Sequence, residues 1–127
     1  MILDHLILNV NDVEESVRFY TEVLGFRDEG MNPPFRVLRV SADFELLLGP
    51  WPTEGGEHLA FAMPRAEFDA VVSRVRERGV PYGDRFDTIG SGQGPELESR
   101  PGGARGRATS LYFHDPNRHV LEIRRYE

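Results

Sequence analysis

The chain has 127 residues, 39% apolar and 28% charged, with four His, no Cys and, among its 15 basic residues, only Arg. That length fits one ordinary domain or two halves packed as one; the missing Cys excludes disulfides, thiolate metal sites and Fe–S clusters, and the missing Lys excludes Schiff-base and phosphate-loop chemistry. The formal net charge of −6 argues against a nucleic-acid partner, no apolar run is long enough to span a membrane, and an N-terminus without a leader pattern makes a cytoplasmic protein the expectation.

The first strand is expected at Asp4 to Val10, followed by a helix. Asp12 and Glu15 suggest a capping box, Val13, Val17, Tyr20 and Leu24 form one apolar stripe, and Gly25 sits where a helix ends. Phe35 to Val40 and Phe44 to Leu48 read as strands joined by a tight turn at Ser41-Ala42-Asp43. Trp51, after Gly49-Pro50, falls in the hinge and is given a packing role.

The plan then repeats. Glu57-His58-Leu59-Ala60-Phe61-Ala62-Met63 matches Asp4-His5-Leu6-Ile7-Leu8-Asn9-Val10. A second helix starts at Pro64, buries Phe68, Val71, Val72 and Val75, and stops at Gly79. Between Asp84 and Arg107 lies a strand-like stretch, Arg85 to Ile89, and then a Gly-rich segment read as a lid or a disordered loop. Ala108 to Phe113 and His119 to Arg125 are the closing strands, around the turn His114-Asp115-Pro116-Asn117-Arg118. The expected fold is α+β, with two units of one strand, one helix and three strands (1–50 and 57–127) forming a cupped mixed sheet within a single domain. The helices lie on its outer face.

Alternation along the strands assigns faces. Leu6, Leu8 and Val10, and Leu59, Phe61 and Met63, should meet the helices, which turns His5, Ile7, Asn9 and His58 to the concave side. Glu45 and Glu122, each in the last strand of its unit, follow by the same logic. Two His and two Glu make a ligand set for Ni, Co, Zn, Mn or Fe(II). Asn9, Tyr112 and Arg124 are candidate substrate contacts, and His114 and His119 are expected to face solvent.

These residues resemble the vicinal oxygen chelate superfamily of glyoxalase I, extradiol dioxygenases, fosfomycin-resistance transferases and bleomycin-resistance proteins. The strongest segments are Asp4 to Asp12, Phe19-Tyr20 with Val23-Leu24-Gly25-Phe26, His58-Leu59-Ala60-Phe61, and Tyr112-Phe113-His114-Asp115-Pro116 running to Glu122. The resemblance implies a divalent metal held by His5, His58 and Glu122, with Glu45 matching the fourth ligand of glyoxalase I. It also implies a homodimer in which His5 and Glu45 of one subunit face His58 and Glu122 of the other. Asn9 and Gly49 stand where glyoxalase I has Arg and Asn, which argues against glutathione; Ile7 and the missing Lys remove the fosfomycin transferase reading. Asn117 is expected to supply the positive φ of a turn usually closed by Gly.

Three functions follow from the resemblance. The first is a metal-dependent lyase or isomerase acting on a small substrate with adjacent oxygens, in which Glu122 or Glu45 moves a proton beside a metal-stabilised enediolate. The second is an Fe(II) extradiol-type dioxygenase, and the third a non-catalytic antibiotic-binding resistance protein.

Overall fold

A computed structural model describes residues 1–126. Two sheets are formed, each in its own compact unit, Met1–Glu54 and Gly55 onward. In the first unit β1 (His5–Asn9) and α1 (Val13–Glu22) are followed by β2 (Arg27–Asn32), β3 (Phe35–Ser41) and β4 (Phe44–Gly49), with sheet order β1-β4-β3-β2. The second holds β5 (His58–Ala62), α2 (Arg65–Glu77), β6 (Tyr82–Gly83), β7 (Glu96–Leu97), β8 (Thr109–His114) and β9 (Val120–Arg125), in the order β5-β9-β8-β6, with β7 also on β8. In each unit the first strand lies parallel to the last and the others are antiparallel. The repeated α+β plan is therefore present. No helix among the described residues is long and apolar enough to cross a membrane.

Local chemistry starts and stops both helices. Asp12 accepts a hydrogen bond from the Glu15 amide at 3.1 Å, satisfying one of the free donors of the first turn of α1. Beyond each helix a glycine takes positive φ, +79° at Gly25 and +66° at Gly79. The next amide then reaches back to a helix carbonyl, Phe26 to Tyr20 at 3.1 Å and Val80 to Val75 at 3.0 Å. Alternation holds in β1, where Leu8 is buried and His5, Ile7 and Asn9 are exposed. The second core gathers Phe68, Val71, Val72 and Val75 of α2 with Leu111, Phe113, Leu121 and Ile123.

Three expectations are corrected. Arg85–Ile89 is not a strand: Thr88 Oγ1 donates to Asp84 Oδ1 at 2.6 Å and accepts from the Arg85 amide at 3.0 Å, folding that stretch into a turn after β6. His119 is buried rather than solvent-facing, because Asp115 Oδ1 accepts from the amides of Asn117 (2.8 Å) and His119 (2.9 Å), and His119 Nδ1 accepts from the Glu57 amide at 3.3 Å. The positive φ falls on Arg118, +70°, because Asn117 donates both its amide and its Nδ2 to Asp115. Trp51 does pack, edge-on against Phe35 with ring centres 5.7 Å apart.

Arg36 on β3 ties the first unit together. It forms a bidentate pair with Asp28 (2.8 and 2.6 Å) and reaches Glu14 of α1 at 2.7 Å. The Arg36 hydrogen bonds, with the Gly30 amide, hold the Asp28 carboxyl at about 2, below its usual 3.8. A depressed folded pKa gives stability that is present above the unfolded pKa and lost as pH falls through the folded one. With both side chains partly exposed, water screens the pair to about 1 kcal/mol. Urea unfolding of wild type and Asp28→Asn should differ by about that much at pH 6, with the gap closing between pH 4 and pH 2. A gap that persists at pH 2 would contradict the assignment.

Candidate metal site

The outward face of β8 and β9 carries Ser110, Tyr112, Glu122 and Arg124, opposite the apolar row Leu111, Phe113, Leu121 and Ile123. Register places Tyr112 beside Glu122 and Ser110 beside Arg124. On the parallel neighbour β5, His58 reaches along the same face, with Nε2 3.1 Å from Glu122 Oε1. Two cis donors each about 2.1 Å from one cation stand about 3 Å apart, so this pair is spaced as neighbouring ligands are.

Glu122 is 4% exposed and its two oxygens have separate duties. Oε1 faces His58, while Oε2 accepts from Arg124 Nη1 at 2.5 Å and lies 3.1 Å from Ser110 Oγ. Burial pushes this carboxyl up, but the bonds from Arg124 and Ser110, the Arg124 charge and the His58 contact together hold it below the usual value. It is ionised at neutral pH, as a metal ligand must be. Tyr112, half-buried with its ring 5.9 Å from that of His58, is shifted the other way, by burial first and then by the Glu122 charge. Its phenol stays protonated and is a hydrogen-bond donor.

In the first unit, His5 Nδ1 lies 2.7 Å from Asp4 Oδ2. A carboxylate on Nδ1 favours the tautomer with an unprotonated Nε2, the form able to ligate a metal. Glu45 shares the face of His5 but not the position the repeat implied. His5 pairs with Glu45, whereas His58 pairs with Val120 and Glu122 lies opposite Ala60. The equivalent of Glu122 in the first unit is therefore Leu47, and the two acids are offset by two residues. Glu45 lies 3.2 Å from Arg39, which also binds Glu29 at 3.1 Å. Asn9 is exposed beside Gly49, where a Cβ would stand 2.9 Å from its Oδ1. Among the described residues no three His, Asp or Glu gather closely enough to hold an ion by themselves.

Arg124 is buried, 5% exposed, under the segment that follows β7. Glu98 meets it at 2.8 Å and lies 3.0 Å from Ser110 Oγ. The Gly-rich stretch is thus folded against the sheet, and it walls one side of an open cleft of about 750 Å3 whose lining includes Asp84, Gln93, Glu96, Arg100, Tyr112 and Glu122. The sequence reading missed Ser110 and Glu98. Ser110 was accessible from its two-residue spacing to Tyr112; Glu98, in a loop without periodicity, left no signal.

The Glyoxalase/Bleomycin resistance protein/Dioxygenase superfamily model matches residues 2–123. The virulence protein STM3117 of Salmonella typhimurium is 30% identical to this chain, over 98% of the chain and 83% of that protein. Two solved structures also align with the whole chain: Oxidase ChaP-H1 is 29% identical, covered over 97% of its length, with a TM-score of 0.77; Oxidase ChaP-H2 is 26% identical, covered over 94%, with a TM-score of 0.81. The repeated strand-helix-strand units and a family match across nearly the whole length lead to one conclusion: the chain belongs to the Glyoxalase/Bleomycin resistance protein/Dioxygenase superfamily.

Proposed function

We propose that this protein is a cytoplasmic, homodimeric, divalent-metal-dependent enzyme that uses His5, His58 and Glu122 as ligands for Fe(II). Its substrates are O2 and a small molecule that chelates through adjacent oxygens, with neither nucleic acid nor membrane as a partner. The carrying observation is how Glu122 is held: Arg124 at 2.5 Å and Ser110 at 3.1 Å grip one oxygen while the other faces His58. A carboxylate fixed in this way is an anionic ligand. To shuttle a proton between substrate carbons it would have to take it on Oε1, and the Arg124 charge and bonds on the other oxygen disfavour the protonated form. The offset of Glu45 leaves two His and one carboxylate as the matched donors, the set of oxygen-activating Fe(II) enzymes, and the likeness to two proteins described as oxidases supports the same reading.

Bound there, Fe(II) would supply open coordination positions for the chelating oxygens and for O2. The chain supplies the rest. Tyr112, whose phenol is hydrogen-bonded to Glu122, lines the cavity and can redirect that proton to a substrate oxygen, Asp4 orients the His5 ring, and the cavity beside Glu122 receives the body of the substrate. A second copy of the chain provides His5 opposite His58 and Glu122, and Asn9 is placed on the same strand face as His5.

A second reading is proton transfer of the glyoxalase type. It is favoured by Glu45, which lies directly opposite His5 and is only half-buried. Anaerobic reconstitution, elemental analysis and oxygen-electrode measurements with catechol separate the two. Iron retained near one ion per chain with catechol-dependent O2 uptake is the expected result. Retention of Ni, Co, Zn or Mn with O2-independent turnover of a 2-oxoaldehyde would favour the second, and failure to retain any metal would overturn both, leaving ligand sequestration.

A further inference from the structure

Arg124 spends most of its hydrogen bonds outside its own strand. Nη1 donates to Glu122 at 2.5 Å and to Glu98 at 2.8 Å, and Nη2 donates to the carbonyls of Gly102 and, at 3.0 Å, Gly106. Gly103 lies flat on the guanidinium: its φ is +80°, and a Cβ there would stand 2.8 Å from Nη2 and 2.9 Å from the Tyr126 hydroxyl. Tyr126 adds to the grip, accepting from the Arg105 amide at 3.4 Å while the Arg105 guanidinium sits 4.3 Å above its ring. Residues 98–106 are therefore fastened to the strand that carries Glu122, and they form part of the cavity wall.

We propose that Arg124 is a positioning residue which couples closure of the 98–106 segment to the orientation of the Glu122 carboxylate, so that the pocket wall and the metal ligand are set together. The inference rests on the metal reading of His58 and Glu122 above, and it replaces the role of substrate contact expected for Arg124. Its four Nη protons are already committed to two carboxylates and two carbonyls, and a substrate gains them only by unfastening the wall. Glu98 also matters electrostatically. By sharing the Arg124 charge it leaves more of the negative charge on Glu122 available to a cation. Only a planar fork with several donors spans these partners at once; a Lys keeps the charge and loses the span. Linkage makes the coupling reciprocal: a ligand that holds the segment down tightens metal binding, and metal binding favours the closed segment.

Trypsin reports on the segment through the bonds after Arg105 and Arg107; the latter is held by its Nε to the Glu98 carbonyl at 2.7 Å. Wild type, Arg124→Lys and Gly103→Ala are compared for tryptic cleavage without metal, for cobalt(II) affinity and visible spectrum, and for far-UV circular dichroism. Both variants should be cleaved faster and bind cobalt roughly ten-fold more weakly, the scale seen when a partner of a metal ligand is lost. Gly103→Ala leaves every charged group in place, so its loss of affinity would arise through the segment. Faster cleavage with unchanged cobalt affinity overturns the coupling, and unchanged cleavage overturns the fastening. A wild type that binds no cobalt overturns the metal reading itself and the coupling with it, while the cleavage rates still decide whether Arg124 fastens the segment.

Discussion

Replacing His58 with Ala should weaken divalent-metal binding by at least about 100-fold, more than the loss of any outer partner, with little cost to stability. His58 stands at the start of β5 on its exposed face, with Glu122 at 3.1 Å and the Tyr112 ring edge-on at 5.9 Å. Removing an exposed imidazole opens no cavity in the core, and substitutions of that kind typically change stability by about 0.5 kcal/mol or less. Glu122→Gln is the companion. It keeps the shape and the Ser110 contact but removes the anionic donor, and Glu98 remains to neutralise Arg124. Affinity measured by competition with a chromophoric chelator should collapse in both variants, and likewise in His5→Ala. Glu45→Gln is the control on register. With Leu47 in the position equivalent to Glu122, its affinity should stay within about three-fold of wild type, far from the effect of losing a ligand. Unchanged affinity in His58→Ala would remove the metal assignment, and a collapse in Glu45→Gln would restore the four-ligand, glyoxalase-like set.

What was legible in the sequence was local. The two-residue alternation of β1 and β5, the Asp12 cap and the two terminal glycines act within a few residues, so both helices, the six strands other than β2, β6 and β7, the repeat and the shared strand face of His5, His58, Glu45, Glu122 and Arg124 could be read. Partners far along the chain could not. Arg124 and Glu98 are 26 residues apart and meet at 2.8 Å, and Glu98 lies between two glycine-rich runs without periodicity. His119 was misplaced for the same reason. A turn rich in Asp, Pro and Asn ordinarily faces water, and here the bond from the Glu57 amide, 62 residues away, draws the imidazole inward. The offset of Glu45 from Glu122 is a matter of strand register. Similar tripeptides, Phe-Glu-Leu and Leu-Glu-Ile, cannot show which residue of the neighbouring strand lies opposite each acid.

Phe113→Ala should cost about 3–5 kcal/mol, a large loss of stability for a single truncation. Phe113 is fully buried on the face of β8 that turns away from the site, beside Leu121 of β9 and opposite Tyr82 of β6 in register. Its ring belongs to the core that α2 completes with Phe68, Val71, Val72 and Val75, all at most 6% exposed. Truncation forfeits the transfer of the ring out of water and leaves a hole that rigid strands on either side cannot collapse to fill. Against a total stability of about 5–15 kcal/mol for a domain, the variant should unfold at much lower urea, with its midpoint shifted and its slope unchanged. The site should suffer along with the core. Tyr112 and His114 alternate with Phe113 on the same strand, and Glu122 pairs with Tyr112 across the same ladder. Loosening β8 therefore displaces the phenol and the bond from Ser110 to Glu122 together. Phe113→Leu separates the two effects: it keeps most of the apolar volume and should recover more than half of the lost stability and the cobalt affinity with it. An alanine variant within about 1 kcal/mol of wild type would show that β8 is not packed as described.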